Sequence, residues 1–94
     1  VGYWVYVMAS KRNGTLYIGV TNSLPNRVYQ HKAGSGSLFT AKYKVALLVH
    51  AEEFQTPQEA IQRETSLKRW PRKWKLDLIE KDNPDWDDLY QTII

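Results

Sequence analysis

Glu64 lies four residues after Ala60, three after Ile61 and three before Leu67. On a helix this spacing sets its carboxylate on or beside the apolar stripe. A charge there is costly unless it is paired or bound to a metal ion. Taken alone, a structural salt bridge is the commoner outcome, but Arg63 and Lys68 are too close in sequence to be the obvious inward partner. Arg27 and His31 stand at i and i+4 and therefore share a helix face; alone, such a pair is accounted for by a solvated surface. Tyr6 and Tyr17 form the third candidate set. If Lys11 to Gly14 make a four-residue loop, Ser10 pairs with Thr15, Met8 with Tyr17 and Tyr6 with Gly19. The two phenols then project from one sheet face as diagonal neighbours, their backbones roughly 7–8 Å apart. A two-residue Asn-Gly loop would instead separate them by roughly 13 Å. Gly19 would leave space beside the Tyr6 ring, since a strand glycine often marks close approach of a ligand or backbone. For any one tyrosine, core packing is the simpler explanation.

The elements that must position these groups follow from pattern. Tyr3 to Ala9 is aromatic and β-branched and apolar on both faces, as a fully buried strand is. Lys11-Arg12-Asn13-Gly14 carries a hairpin signal, and Thr15 to Val20 is a second, antiparallel strand. Asn22 or Ser23 can cap a helix to about Ala33, with Pro25 in its first turn and Leu24 and Val28 facing the core. Gly34-Ser35-Gly36-Ser37 is a flexible loop, and a third strand runs from about Val45 to Glu53. Thr56-Pro57-Gln58-Glu59 combines an N-cap hydroxyl, proline at N1 and a capping-box glutamate. The helix that it starts should end near Trp70, before Pro71. A further helix, about Arg72 to Lys81, is expected to bury Trp74, Leu78 and Ile79, and Asn83-Pro84-Asp85 to start a last short helix carrying Trp86, Leu89 and Tyr90. The expected fold is α+β: a three-stranded antiparallel sheet in the order ββαβαα plus a short C-terminal helix, with residues 1–94 as one domain.

Composition sets the class. Hydrophobic residues are 43% and charged residues 24%, as in a globular chain. No apolar run approaches the length of a membrane span, and the absence of cysteine excludes disulfides, thiolate metal sites and a cysteine nucleophile. The expected setting is cytoplasmic. The net charge of +3 conceals an asymmetry: residues 1–75 hold twelve basic and four acidic side chains, and residues 76–94 one basic and six acidic. The basic part suits a polyanionic partner, and the acidic tail a closing element kept away from it.

Together these residues resemble the GIY-YIG nucleases, small metal-dependent enzymes that cut DNA. The signature triplets stand as Trp4-Val5-Tyr6 and Tyr17-Ile18-Gly19; Leu24-Pro25-Asn26-Arg27 followed by His31 resembles the family's arginine helix; and Glu64 sits where the family places its metal-binding glutamate. The spacings, ten residues from Tyr17 to Arg27 and thirty-seven from Arg27 to Glu64, resemble the nuclease domain of the bacterial excision-repair incision subunit. Leu67-Lys68-Arg69-Trp70 through Asn83-Pro84-Asp85-Trp86 resembles short stand-alone bacterial members. Three positions depart from the pattern: Trp4 replaces the first glycine, Val20 stands where some relatives carry a lysine, and Asn26 replaces a basic residue.

The resemblance implies a DNA endonuclease acting on branched, damaged or otherwise unusual DNA, in repair or processing, with one Mg²⁺ or Mn²⁺ ion held by Glu64 alone. Water and phosphate oxygens would complete its coordination, as suits a hard cation that dehydrates reluctantly. Arg27 would contact the scissile phosphate. Tyr17 would be the general base and Tyr6 would position water or phosphate, with His31 as competing base or relay. A free phenol titrates near 10, so ionising one at pH 7 costs roughly 4 kcal/mol; a nearby metal and Arg27 would have to lower that cost. Lys42, Lys44, Lys68, Arg69, Arg72 and Lys73 could follow DNA phosphates without reading sequence, while Trp70 and Trp74 share a helical spacing with core residues. The alternative is a nucleic-acid-binding module on the same fold with weak or absent catalysis; a basic structural domain would leave the polar cluster a coincidence. A domain of this size offers little surface for specificity, so a homodimer or protein partner is compatible with it.

Overall fold

The computed structural model describes residues 2–94. Its centre is strand β1, Tyr3–Ala9, which pairs antiparallel on one side with β2, Leu16–Thr21, and on the other with β3, Leu47–Phe54. β1 is therefore the central strand, with a neighbour on each side, which is why Val5 through Ala9 are all buried. Helix α1, Leu24–Lys32, and a short helix α2, Leu38–Tyr43, precede β3; α3, Pro57–Arg69, and α4, Arg72–Asp82, follow it, and a 3-10 turn, Leu89–Thr92, ends the chain.

The alternation of β1 divides the core in two. Val5, Val7 and Ala9 join Ile18, Val49, Ala60, Leu67 and Ile79 beneath α3 and α4. Tyr6 and Met8 join Leu24, Val28, Val45 and Leu48 on the other face, beneath α1 and the C-terminal turn. The hairpin has the four-residue loop: Ser10 N–H donates to the Thr15 carbonyl at 3.0 Å, Gly14 N–H closes on Lys11 at 2.9 Å, and Asn13 takes the left-handed φ of 58°. Arg72 Nη2 ties this loop to α4 through the carbonyls of Asn13 and Gly14. Thr56 caps α3 as expected, accepting from Glu59 N–H at 3.3 Å and donating to its carboxylate at 2.9 Å.

Four expectations are corrected. Residues 38–43, left without an element between the Gly34–Ser37 loop and the third strand, are α2: Ser37 Oγ accepts from Thr40 N–H, and Lys44 ends the helix with φ 55°. β3 starts at Leu47 and extends to Phe54, although Val45 is buried ahead of it. Trp74 is 54% exposed instead of buried. It lies five residues, about 140° around the helix, from the inward Ile79; Leu78, on the flank, is half-buried. No helix starts at Asn83, because its side chain closes a loop: it donates to the Val49 and Asp87 carbonyls and accepts from Asp87 N–H. Trp86 enters the core from that loop at φ 57°, its indole N–H donating to Glu80, so the terminal helix shrinks to the 3-10 turn.

Candidate active site

The register pairs Tyr6 with Gly19 and Met8 with Tyr17, so both phenols lie on the α1 face of the sheet. A Cβ at Gly19 would stand 2.5 Å from Tyr6 Oη and 2.6 Å from Cζ; glycine is what lets the ring lie across β2. The first helix then brings His31 over the pair, with ring centroids 5.6 Å from Tyr6 and 5.1 Å from Tyr17, while the two phenols are 6.3 Å apart.

His31 is 3% exposed, and both of its ring nitrogens are engaged: Nε2 with Tyr6 Oη at 2.8 Å and Nδ1 with Thr40 Oγ1 at 3.0 Å. Thr40 Oγ1 also lies 2.9 Å from Ser37 Oγ and 3.3 Å from the Ser37 carbonyl, and the assignment that satisfies every partner has Nδ1–H donating to Thr40 and the Tyr6 hydroxyl donating to Nε2. Burial, reinforced by the Arg27 charge, lowers the His31 pKa and so favours the neutral ring. Gly36 packs where any Cβ would run into the His31 ring. Thr40, Ser37 and Gly36 therefore hold the imidazole, and none of them belongs to the pattern read in the sequence.

Tyr6 is 1% exposed and burial pushes its pKa up to about 12, although the Arg27 guanidinium beside it acts in the other direction. The Arg27 pKa is raised in turn, first by hydrogen bonding toward Tyr6, and Tyr17 contributes as well. At close hydrogen-bonding geometry the guanidinium meets Gln30 Oε1 at 3.1 Å; the phenols are near enough to feel its charge.

Glu64 arrives from the opposite face. α3 packs over β1 and β2, and Pro57 and Ile61 line a hollow of about 420 Å³ together with Thr21, Asn22 and Arg27. One turn further on, Glu64 is half-buried, near enough to Tyr6 to perturb it, and pairs with Lys68 at 3.3 Å. Tyr6, Tyr17, Arg27 and His31 thus gather on the α1 face beside β2, and Glu64 reaches Tyr6 electrostatically from the α3 side. Among the described residues no three His, Asp or Glu side chains gather as a metal cage. A lone half-buried carboxylate that already holds a cation fits a hard ion completed by non-protein oxygens and does not fit a multi-histidine site.

Residues 2–77 match the GIY-YIG catalytic domain profile. The chain belongs to the GIY-YIG family. The GIY-YIG relatives include UPF0213 proteins, short bacterial members: one from Staphylococcus haemolyticus is 35% identical over 79 residues, covering 84% of this chain and 95% of the relative. Another, from Bacillus velezensis, is 35% identical over 88 residues, covering 94% and 88%. The solution structure of a UPF0213 protein from Bacillus halodurans shares the GIY-YIG fold of this chain, with TM-score 0.58 and 24% identity over 94% and 93% of the two chains.

The basic residues read from the sequence occupy different surroundings. Lys68 faces a hollow of about 360 Å³ beside Tyr17, which Lys75, not singled out in the sequence, also lines. Lys42 lies over the Tyr43 ring at 5.3 Å, and Lys44 is exposed at the end of α2. Arg69 borders a separate depression with Gln62, Thr65, Ser66 and Trp70, Lys73 pairs with Asp77 at 3.1 Å, and Arg72 is engaged with the hairpin. Trp70 is half-buried, with Trp74 edge-on at 5.8 Å and Arg63 over its ring. The remaining ionic cluster lies under α3 near β3: Arg63 holds Glu52 through two nitrogens, and His50 Nε2 stands 2.8 Å from the same carboxylate. Among the described residues no helix is long and apolar enough to cross a membrane.

Proposed function

We propose that this chain is a metal-dependent DNA endonuclease, one domain over residues 1–94, that hydrolyses phosphodiester bonds in structurally unusual or damaged DNA during repair or processing. The observation that supports it most is the gathering beside β2 of two tyrosines, a neutral histidine and a guanidinium, with a carboxylate reaching Tyr6 electrostatically from the other face of the sheet. Glu64 would hold a Mg²⁺ or Mn²⁺ ion, which supplies Lewis-acid relief of charge on the phosphate.

The protein's own groups divide the remaining work. Arg27 binds the scissile phosphate and stabilises the charge that develops there. Tyr17 is half-buried beside an open hollow and serves as base toward the attacking water. His31 does not take that role directly, since neither ring nitrogen is free. Removing the Tyr6 proton at pH 7 would cost about 7 kcal/mol, given its pKa of about 12, so Tyr6 remains a phenol that positions water or phosphate, its hydrogen committed to His31. Lys42, Lys44, Lys68, Arg69 and Lys73, with the charge of Arg72, follow the DNA backbone.

The test is nicking of supercoiled plasmid and cleavage of branched DNA with Mg²⁺, Mn²⁺ or chelator. Glu64→Gln should abolish metal-dependent cleavage while retaining the fold, whereas Arg27→Ala should lower the bound-state rate far more than the affinity. Normal cleavage by Glu64→Gln would overturn the assignment of the ion. Binding without cleavage under every condition would favour a binding module, in which the Glu64–Lys68 pair is only structural.

A further inference from the structure

The hollow of about 360 Å³ next to Tyr17 is walled by Leu16, Tyr17, Ile18, Phe39, Lys68 and Lys75. Its size falls in the range of small-ligand sites. Two of these residues are aromatic, the Tyr17 and Phe39 ring centroids lying 6.1 Å apart, and two are lysines, with Lys68 Nζ pairing with Glu64 and Lys75 Nζ donating to the Lys68 carbonyl at 3.3 Å. Phe39 is 41% exposed and stacks at 4.9 Å on Tyr43, itself 46% exposed, and Leu38 on the same short helix is 92% exposed. α2 therefore leaves three large apolar side chains in water, although its one buried residue, Thr40, is bonded to His31. Phe39 is next in sequence to that anchor, so the exposed ring is held in a fixed position relative to the catalytic cluster.

We infer that this hollow receives one unpaired nucleotide beside the scissile phosphate, its base stacked on Phe39 and its phosphate paired with Lys68 and Lys75. The inference rests on the nuclease reading for the word scissile, but the binding chemistry stands on its own. An aromatic face takes any base, and ammonium groups take any phosphate, so sequence is not read. A base inside a duplex already has neighbours on both faces and cannot offer one to Phe39. The hollow therefore selects for single-stranded, frayed or branched DNA. Lys68 links it to the metal carboxylate: its ammonium is paired with Glu64, and a cation there would release it toward the phosphate.

Binding in chelator, where no cleavage occurs, tests this. A single-stranded oligonucleotide carrying 2-aminopurine should be quenched by the wild-type protein and should bind at least about 10-fold more tightly than the same sequence in a blunt duplex. Phe39→Ala should lose the quenching and about 5- to 150-fold in single-strand affinity, as expected for one stacked base, and Phe39→Leu, which keeps the apolar bulk, should behave alike; Phe39→Trp should retain both. Lys75→Gln should lower the salt dependence by about one counterion. Unchanged single-strand binding in both Phe39→Ala and Phe39→Leu, or a dimer dissociated by these changes with DNA binding intact, would overturn the inference and mark α2 as a self-association face. Quenching without cleavage in Mg²⁺ would support the hollow and refute the nuclease; cleavage without quenching would do the reverse.

Discussion

Gly19→Ala is a one-carbon change whose cost can be worked out from positions. The new Cβ would stand 2.5, 2.6 and 2.9 Å from Oη, Cζ and Cε1 of Tyr6, so the ring has to retreat by roughly 1 Å to reach ordinary contact distance. It is 1% exposed and anchored at 2.8 Å to His31, so the retreat compresses the core and breaks that bond. Overpacking costs about 1–3 kcal/mol, and leaving the buried phenol and imidazole unpaired costs about 1–3 kcal/mol more. Alanine recovers about 0.5–1 kcal/mol over glycine in a strand, so the net loss is about 1–5.5 kcal/mol. A domain of this length is stable by about 5–14 kcal/mol. Urea unfolding followed by tryptophan fluorescence resolves such a loss, and four tryptophans supply the signal. Tyr6→Leu supplies the control, since all three clashing atoms lie beyond the reach of leucine. In that background Gly19→Ala should be neutral or slightly stabilising, a coupling of about 1–6 kcal/mol. An equal penalty in both backgrounds would refute the reasoning and assign the cost to the strand backbone.

Two further changes test the supports of the site. Thr40→Val removes the acceptor of His31 Nδ1–H without changing shape and should cost about 1–3 kcal/mol, with Thr40→Ser restoring most of it and ¹⁵N spectra of the ring reporting the loss of a fixed tautomer. Glu52, held to a pKa of about 2 chiefly by the His50 hydrogen bond and then by Arg63, sheds its proton far more readily folded than unfolded, where the ordinary value is 4.5. Its stabilisation, about 3 kcal/mol, is therefore complete above about pH 4.5 and lost as pH falls toward 2; denaturant unfolding of wild type and Glu52→Gln should converge over that interval, and a constant difference would refute the linkage.

What the sequence reveals and what it conceals divide along physical lines. That Tyr6 and Tyr17 share a sheet face is legible, because both loops open to the sequence keep the strict side-chain period of two; the register is not, since Asn13-Gly14 equally marks a two-residue turn and the Ser10–Thr15 closure selects the longer loop. Glu64 is legible because a carboxylate interrupts an apolar stripe. α2 is not, because its apolar residues, Leu38, Phe39 and Tyr43, face water and its single inward residue is Thr40, so the usual periodicity is inverted. The role of Gly36 depends on a ring five residues earlier in sequence, and no spacing rule encodes that approach. Lys68 is dismissed as an inward partner of Glu64 on the premise that the carboxylate points straight into the core. At a sheet edge it points sideways, where an i+4 lysine reaches it.

The two edges of this sheet carry opposite duties. Arg27 and Glu64 come from helices on opposite faces, and side chains from two separated layers can meet only where the intervening sheet ends. β2 is such an end, and the basic groups Lys68 and Lys75 lie along it. β3 is the other end, and an open edge invites strand pairing with another chain. Here the acidic tail intervenes. The 3-10 turn packs on β3, Asp88 accepts from Leu48 N–H at 3.1 Å and pairs with Lys32, and Leu89, Tyr90 and Ile93 close over the core. Burial alone would raise the Asp88 pKa, yet the Lys32 ammonium and the N–H groups of Tyr90 and Leu48 hold it below the usual range, so the clasp stays charged at neutral pH. The acidic end of the chain thus covers the β3 edge and leaves the β2 edge, beside which Lys68 and Lys75 lie, uncovered by it.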